Sequence, residues 1–300
     1  MGSMTRREWH QMTIGTLVAT AAAPFAAQKK IDSVVAGVQL GAQSYSFRDR
    51  PLDGVIAGLA AAGLGSCELW QDHLERDATA SVSGDAAKRE ALRKWRLTVP
   101  LETFEGVRRK FDAAGITLTA YNLSFRDDYT DEEIVRGFEM ARALGVKVIT
   151  ASSTVSVAKR LDPVAQKFDI RVGFHNHSDM KPNEFATPDD FAAALKDASD
   201  YLAINLDIGH LTAANFDAVE FLDKHSHRIV SIHIKDRKRN QGPNVVFGTG
   251  DSPIVPVLRR LRDKEWRIPA NIEYEYDGTD TVAEVRKCFE YCKQALEHAA

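Results

Sequence analysis

The order of apolar segments predicts an α/β protein folded as a single (β/α)8 TIM barrel. Three observations carry this. Eight short apolar runs stand between Val38 and Tyr274, amphipathic segments separate them, and several of those segments end in glycine. Uninterrupted apolar runs suit parallel strands buried on both faces, and helical segments between them complete βαβ units. Eight such units at a spacing near 30 residues fit a closed barrel. The competing doubly wound sheet wants a glycine-rich first turn, and none follows Gln43-Ser44.

In chain order the expected strands are 38–44, 66–70, 117–121, 147–151, 171–175, 202–207, 229–234 and 270–274. Between them, 52–62, 104–114, 131–144 and 188–197 carry apolar residues three and four apart, and 282–298 closes the series as a helix. Gly63, Gly115 and Gly145 stand where these helices stop, the place for a glycine cap. The longest excursion runs from Trp70 to about Gly115 and is expected to cover the barrel mouth or its flank. No repeat or linker divides residues 31–300, which read as one barrel.

Apolar content of 44% and charged content of 27% are ordinary for a soluble protein with a sizeable core. A net charge of −3 without a basic stripe argues against a nucleic-acid partner. Cys67, Cys288 and Cys292 form neither a disulfide framework nor a zinc-finger spacing, and the last two read as buried thiols. Met1-Gly2-Ser3 reads as an expression remnant. After it, Thr5-Arg6-Arg7-Glu8-Trp9 and an alanine-rich run over 14–27 make an export signal within residues 1–30, with adjacent arginines that suit the twin-arginine route to the periplasm. The run is too short to span a bilayer stably, and an ordinary amphipathic helix is the alternative.

Barrel chemistry sits at the C-terminal strand ends, so those positions were read for function. Three consecutive strands end in Asp207, His233 and Glu273, whose oxygen and nitrogen donors suit one divalent cation: Mn²⁺, Mg²⁺, Co²⁺ or Zn²⁺. His175 and His177 lie two apart and so share a side of an extended strand. We assign His177 as fourth ligand and His175 to proton transfer, the reverse staying open. Lys235, on the face of His233, could hold a sugar hydroxyl or an enolate oxygen, or pair with Asp207 or Asp236. Glu68 is a candidate base or hydroxyl acceptor. Trp70, Asn176, His210 and Glu275 are candidate substrate contacts, with His210 alternatively orienting Asp207 past the tight turn at Gly209. Gly248-Thr249-Gly250-Asp251 is a loop without phosphate-binding spacing, and Arg237-Lys238-Arg239 reads as a solvated basic run.

Taken together, Cys67-Glu68-Leu69-Trp70, Gly173-Phe174-His175-Asn176-His177, Leu206-Asp207-Ile208-Gly209-His210, His233-Ile234-Lys235-Asp236, Gly248-Thr249-Gly250-Asp251 and Ile272-Glu273-Tyr274-Glu275 resemble the xylose isomerase-like barrels. The nearest branch is that of the sugar phosphate isomerases/epimerases, from about residue 36 to the end. The resemblance implies a divalent metal, often Mn²⁺, held from the last four strands, with Asp207, His233 and Glu273 on three of the ligand positions. It departs at the fifth strand, where ketose 3-epimerases carry a glutamate and this chain has a His-x-His, closer to the inosose dehydratase branch.

The expected activity is a metal-dependent sugar isomerase or epimerase working by proton abstraction next to a carbonyl. The metal would stabilise the enediolate, and Glu273 or a histidine would act as base. A dehydratase, or a lyase or hydratase acting on 3-keto-glycosides, would use the same enolisation. Export favours the lyase. An abasic-site endonuclease and a non-catalytic sugar-binding barrel are the further alternatives. The expected partner is a small sugar, keto-sugar or glycoside, with no nucleic acid or membrane, and a homo-oligomer remains open.

Overall fold

The computed structural model describes residues 29–298. Nine strands follow in chain order: β1 (Val34–Val35), β2 (Val38–Gln43), β3 (Ser66–Trp70), β4 (Thr117–Asn122), β5 (Val148–Ala151), β6 (Arg171–His175), β7 (Leu202–Asp207), β8 (Ile229–Ile234) and β9 (Ala270–Ile272). From β2 onward each strand pairs in parallel with the next. β9 returns to β2 through Leu40 opposite Ala270 and Ala42 opposite Ile272. The result is a closed eight-stranded parallel barrel ringed by helices. β1 pairs antiparallel with the start of β2.

The strands form where both faces are buried. All six residues of β7 are inaccessible to solvent, as suits a mainly apolar run interrupted only by Asn205 before it ends at Asp207. β3, β6, β7 and β8 have the bounds expected from the sequence. β9 stops two residues early: the Glu273 N–H still bonds Ile234 O at 3.0 Å, but the Tyr274 N–H turns to Ser46 Oγ at 2.9 Å. Gly63 and Gly145 cap their helices at φ +82° and +78°.

The excursion after β3 folds into two helices, Asp72–Thr79 and Asp85–Thr98, placed on the barrel flank. Polar anchors hold them. Arg96 makes two bonds to buried Glu75, at 2.7 and 2.6 Å, and also donates to the Tyr129 hydroxyl. Arg89 and Arg93 converge on Glu133, the buried third residue of the helix Asp131–Leu144.

After β8 the chain is pinned by Asp236. Its carboxylate accepts from the backbone N–H groups of Gly248, Gly250 and Ser252. A Cβ on Gly250 would come within 1.9 Å of Asp236 Oδ1, so only glycine fits there. Among the described residues no helix is long and apolar enough to cross a membrane. The expected export signal, apart from Lys29 and Lys30, lies outside the described residues.

Candidate metal and active site

Four consecutive strand ends converge at the mouth. His175 ends β6, Asp207 ends β7, His233 is on β8 opposite Asp207, and Glu273 follows β9. One ligand atom from each lies within 4.8 Å of the other three, and all four residues are buried. His175 Nε2 stands 3.4 Å from Asp207 Oδ2 and 4.0 Å from Glu273 Oε2, while His233 Nδ1 is 3.2 Å from Glu273 Oε2. Donors held about 2.0–2.2 Å from one ion necessarily lie a little over 3 Å apart, so the set is near coordination spacing. His175 Nε2 and Asp207 Oδ2 are buried without a hydrogen-bond partner. Oδ2 has only the Lys235 ammonium beside it, at 3.1 Å, and two facing polar atoms without a hydrogen bond are what a shared cation would satisfy. The residues present therefore fit a divalent metal.

His175, not His177, stands in this cluster, which exchanges the places assigned from the sequence. The strand ends at His175, and the chain then turns so that the His177 N–H bonds to Phe185 O at 2.8 Å. His177 still lines the cavity, with its ring centroid 5.0 Å from that of His175. Burial and neighbouring His175 push its pKa down to about 4.

Glu68 lies deeper than a substrate-facing base would. β3 runs two residues beyond it, and the carboxylate is fully buried. It accepts from Thr150 Oγ1 at 2.6 Å, Ser231 Oγ at 3.0 Å and His233 Nε2 at 2.9 Å. Burial alone would raise the Glu68 carboxyl, but His233 and Thr150 hold it below its ordinary value. With Nε2 turned to Glu68, His233 presents Nδ1 to the cluster, the arrangement by which a carboxylate orients a metal-ligating imidazole.

Lys235 is also buried. Its Nζ is 2.7 Å from Glu273 Oε2, 2.7 Å from Glu275 Oε2 and 3.1 Å from Asp207 Oδ2. Burial pushes this amine down, but the three carboxylates hold it above the ordinary lysine range. Glu273 is also buried, and Lys235 and His233 hold its carboxyl well below the usual range. That suits a ligand better than a proton acceptor. The Lys235–Asp207 ion pair open in the sequence is present, whereas Asp236 is turned to its loop.

Asn176 makes a reciprocal pair with the backbone of Asp207, at 3.1 and 3.0 Å, and is fully buried away from the cavity lining, so it positions Asp207 rather than meeting a substrate. Asp207 Oδ1 accepts from the His210 N–H at 2.6 Å and caps the helix Ile208–Ala213. Gly209 serves close approach rather than a turn, since a Cβ there would meet Lys235 at 2.9 Å. Arg237 is turned inward instead of being solvated, donating to His210 Nδ1 at 2.8 Å and to Ser178 Oγ at 2.8 Å.

Above the cluster opens a cavity of about 310 Å³, at the small end of ligand sites. Trp70, His177, His210 and Glu275 line it, as expected, together with Gln43, Asn122 and Ser152 from the rim. Tyr45 also lines it and was missed, although an aromatic residue just past a strand end was a readable signal. Trp70 meets Tyr45 edge to face, with centroids 4.8 Å apart.

The family model described as xylose isomerase-like TIM barrel matches residues 56–295. The chain belongs to this family. No curated protein matches it. Solved structures similar to this xylose isomerase-like barrel include a sugar phosphate isomerase/epimerase from Parabacteroides distasonis, 20% identical with TM-score 0.60, covering 87% of this chain and 97% of that one. A D-tagatose 3-epimerase-like protein is 16% identical with TM-score 0.63 and the same coverage, 87% and 97%. A probable 3-DHS dehydratase of petrobactin synthesis from Bacillus anthracis is 14% identical with TM-score 0.61, covering 84% and 98%. These likenesses show the shared fold.

Proposed function

We propose that this xylose isomerase-like barrel is a divalent-metal enzyme that abstracts a proton next to the carbonyl of a sugar or keto-sugar. The observation that carries the reading is the buried His175–Asp207–His233–Glu273 cluster at the floor of a small polar cavity. A metal held by these residues supplies Lewis-acid polarisation of a substrate oxygen. Mn²⁺ is the first expectation, with Zn²⁺, Co²⁺ and Mg²⁺ open. The names of the similar isomerase/epimerase structures agree with this class.

The residues divide the remaining work. Glu273 is engaged by Lys235 and His233, so it holds charge rather than taking the proton. His177 lines the cavity outside these ion pairs, and burial beside His175 keeps its ring neutral, which leaves a nitrogen lone pair to receive the α-proton. Lys235 does not line the cavity, and its buried ammonium adds a fixed positive charge to the field at the cluster. Trp70 and Tyr45 wall the side remote from the histidines.

A second reading follows from the asymmetry of the rim. Carboxylates come from β7 and β9 while β6 contributes only imidazoles, so no second carboxylate faces Glu273 from β6 as in a symmetric epimerase. Elimination of a β-substituent, by a dehydratase or a 3-keto-glycoside lyase, fits such a one-sided site. Export to the periplasm would bring it glycosides.

Proton exchange from D2O into ketoses, inosose and 3-keto-glycosides, with and without chelator, tests the class. Exchange with returned sugar marks an isomerase, and release of water or aglycone marks a lyase. Absence of exchange and product with metal bound sinks the proposal. His177→Gln should lower exchange by about 10²–10⁴-fold while retaining metal. Full activity in that variant would remove His177 as the base.

A further inference from the structure

The opposite end of the barrel carries a larger cavity than the one above the cluster. It encloses about 870 Å³ among the strand starts, within the range of small-molecule sites. The incoming chain explains where it lies. Residues 29–35 run across the starts of β2, β3 and β4: Val35 pairs with Val38, the Gly65 N–H bonds Ser33 Oγ at 3.0 Å, and the Ile31 N–H bonds Gly115 O at 3.0 Å. Under β5 to β9 the described residues leave the cavity instead. There Val148 and Val230 stay half-buried, and Ile229 and Pro269 complete an apolar floor.

The polar wall around this floor is unevenly spent. Asp169 accepts from Lys147 Nζ at 2.6 Å and from the Tyr201 hydroxyl at 2.9 Å, and Asp200 accepts from Arg228 Nη1 at 2.6 Å. Both carboxylates of the cavity thus already face a cation. Arg171 donates from Nε to Asp200 O at 3.0 Å, and among the described residues its two Nη groups bond nothing. Arg267 lines the same cavity and, among the described residues, makes neither a hydrogen bond nor an ion pair. A guanidinium has no acceptor, so what the wall leaves over is cationic donors. Burial and Arg228 push the Arg171 guanidinium pKa down, more than Asp200 offsets. Its charge is therefore under-compensated, although the chain as a whole carries −3.

We propose that the N-terminal end of the barrel is a binding site for an amphiphilic organic anion. Its apolar body would lie on the Val148–Val230 floor, and one carboxylate or phosphate head would meet Arg171 and Arg267. The guanidinium fork matches either head through paired N–H groups, and the floor supplies burial that a bare ion cannot use. Residues 1–28 carry Arg6 and Arg7 against the single acid Glu8, so that segment is not the charge complement of this cavity. The site shares no lining residue with the cavity above the cluster, and it stands or falls apart from the metal reading.

The test is a titration of full-length protein, methyl-labelled and with arginine Nε–H signals recorded, against phenyl phosphate, inorganic phosphate and benzyl alcohol. Phenyl phosphate should shift Val148, Val230, Arg171 and Arg267 together and saturably, and the two fragments should each bind about tenfold more weakly or worse. Arg267 is exposed, so Arg267→Gln should fold normally. It should weaken phenyl phosphate about tenfold, the worth of a hydrogen bond to a charged group. Arg171→Lys, which keeps the charge and loses the fork, should weaken it less than Arg171→Gln. Equal binding of phosphate and phenyl phosphate overturns the proposal, as do shifts at His177 with none at Val148, which place the anion in the other cavity. Absence of a saturable shift, or an unchanged dissociation constant in both glutamine variants, overturns it too. So does a concentration-dependent dimer that phenyl phosphate leaves intact and Arg267→Glu breaks, which gives this face to a second copy of the chain.

Discussion

Glu68 and Lys235 are the two residues whose contacts say most about what the cluster can hold. Glu68 touches no cavity and yet sets which nitrogen of His233 is offered. Glu68→Gln keeps the size and weakens that hold. Metal affinity should fall about 10- to 100-fold, measured by competition with a chromogenic chelator, and unchanged affinity would remove Glu68 from the site. Lys235 acts in the opposite sense, because its ammonium lies against two of the four candidate ligands. Lys235→Met should bind metal more tightly than the wild type. Without metal the same variant strands three carboxylates, and breaking a buried pair costs about 3–5 kcal/mol. Its melting temperature should therefore be low when stripped and recover when loaded. A variant equally stable in both states contradicts this.

At this scale the sequence was informative about which side chains reach the mouth and silent about depth. Asp207, His233 and Glu273 stood out because each is a polar end on an otherwise apolar run. The choice between His175 and His177 depended on where β6 stops, and period-two alternation cannot show a strand end. Glu68 looked like a rim residue because how far β3 projects past it is set by its neighbours' register. Arg237 looked solvated because nothing local reveals that Ser178, Gly242 and His210 converge on it.

Among the elements, the helix Asp85–Thr98 depends most visibly on polar anchors. Glu133 receives Arg89 and Arg93 and also closes a capping box on Thr130. Burial raises its carboxyl, and the two arginines more than reverse this, leaving it below its ordinary value of 4.5. A depressed carboxyl contributes stability above the unfolded-state value and loses it as pH falls through the folded one. Glu133→Gln should thus cost about 1–2 kcal/mol at neutral pH. The gap to the wild type should narrow on acidification below pH 4.5, read as paired thermal melts. A gap independent of pH would mean that packing, not charge, fixes this helix. The strands were the more legible elements, since burial on both faces leaves an uninterrupted apolar signature. The helices of the excursion were not placed, because their hold on the barrel is made by arginine pairs rather than by a periodic apolar stripe.

For the whole molecule, the cluster ties four neighbouring strands, β6 to β9, at one end of the barrel. A cation bound there is bound by the folded chain and not by the unfolded one, so it should raise the melting temperature in a concentration-dependent way. At 100 times its dissociation constant the gain is about 2.7 kcal/mol. Asp207→Asn preserves the cap on the helix Ile208–Ala213 while removing the ligand charge, and it should abolish most of that metal-dependent gain. An undiminished shift in this variant would place the metal elsewhere.

The division of labour along the chain has a consequence for how such a protein can change. All four candidate ligands, with Lys235 and Arg237, come from the second half, β6 onward. Gln43, Tyr45, Trp70, Asn122 and Ser152 wall the cavity from the first half, while His177, His210 and Glu275 line it from the second. The candidate ligands are thus gathered on one stretch of the polypeptide, while the walls that choose a substrate draw on both. Exchanging the first half for that of another barrel of this family should alter which substrate is accepted, and the four candidate ligands should keep their places only where the new half keeps a glutamate at the Glu68 position.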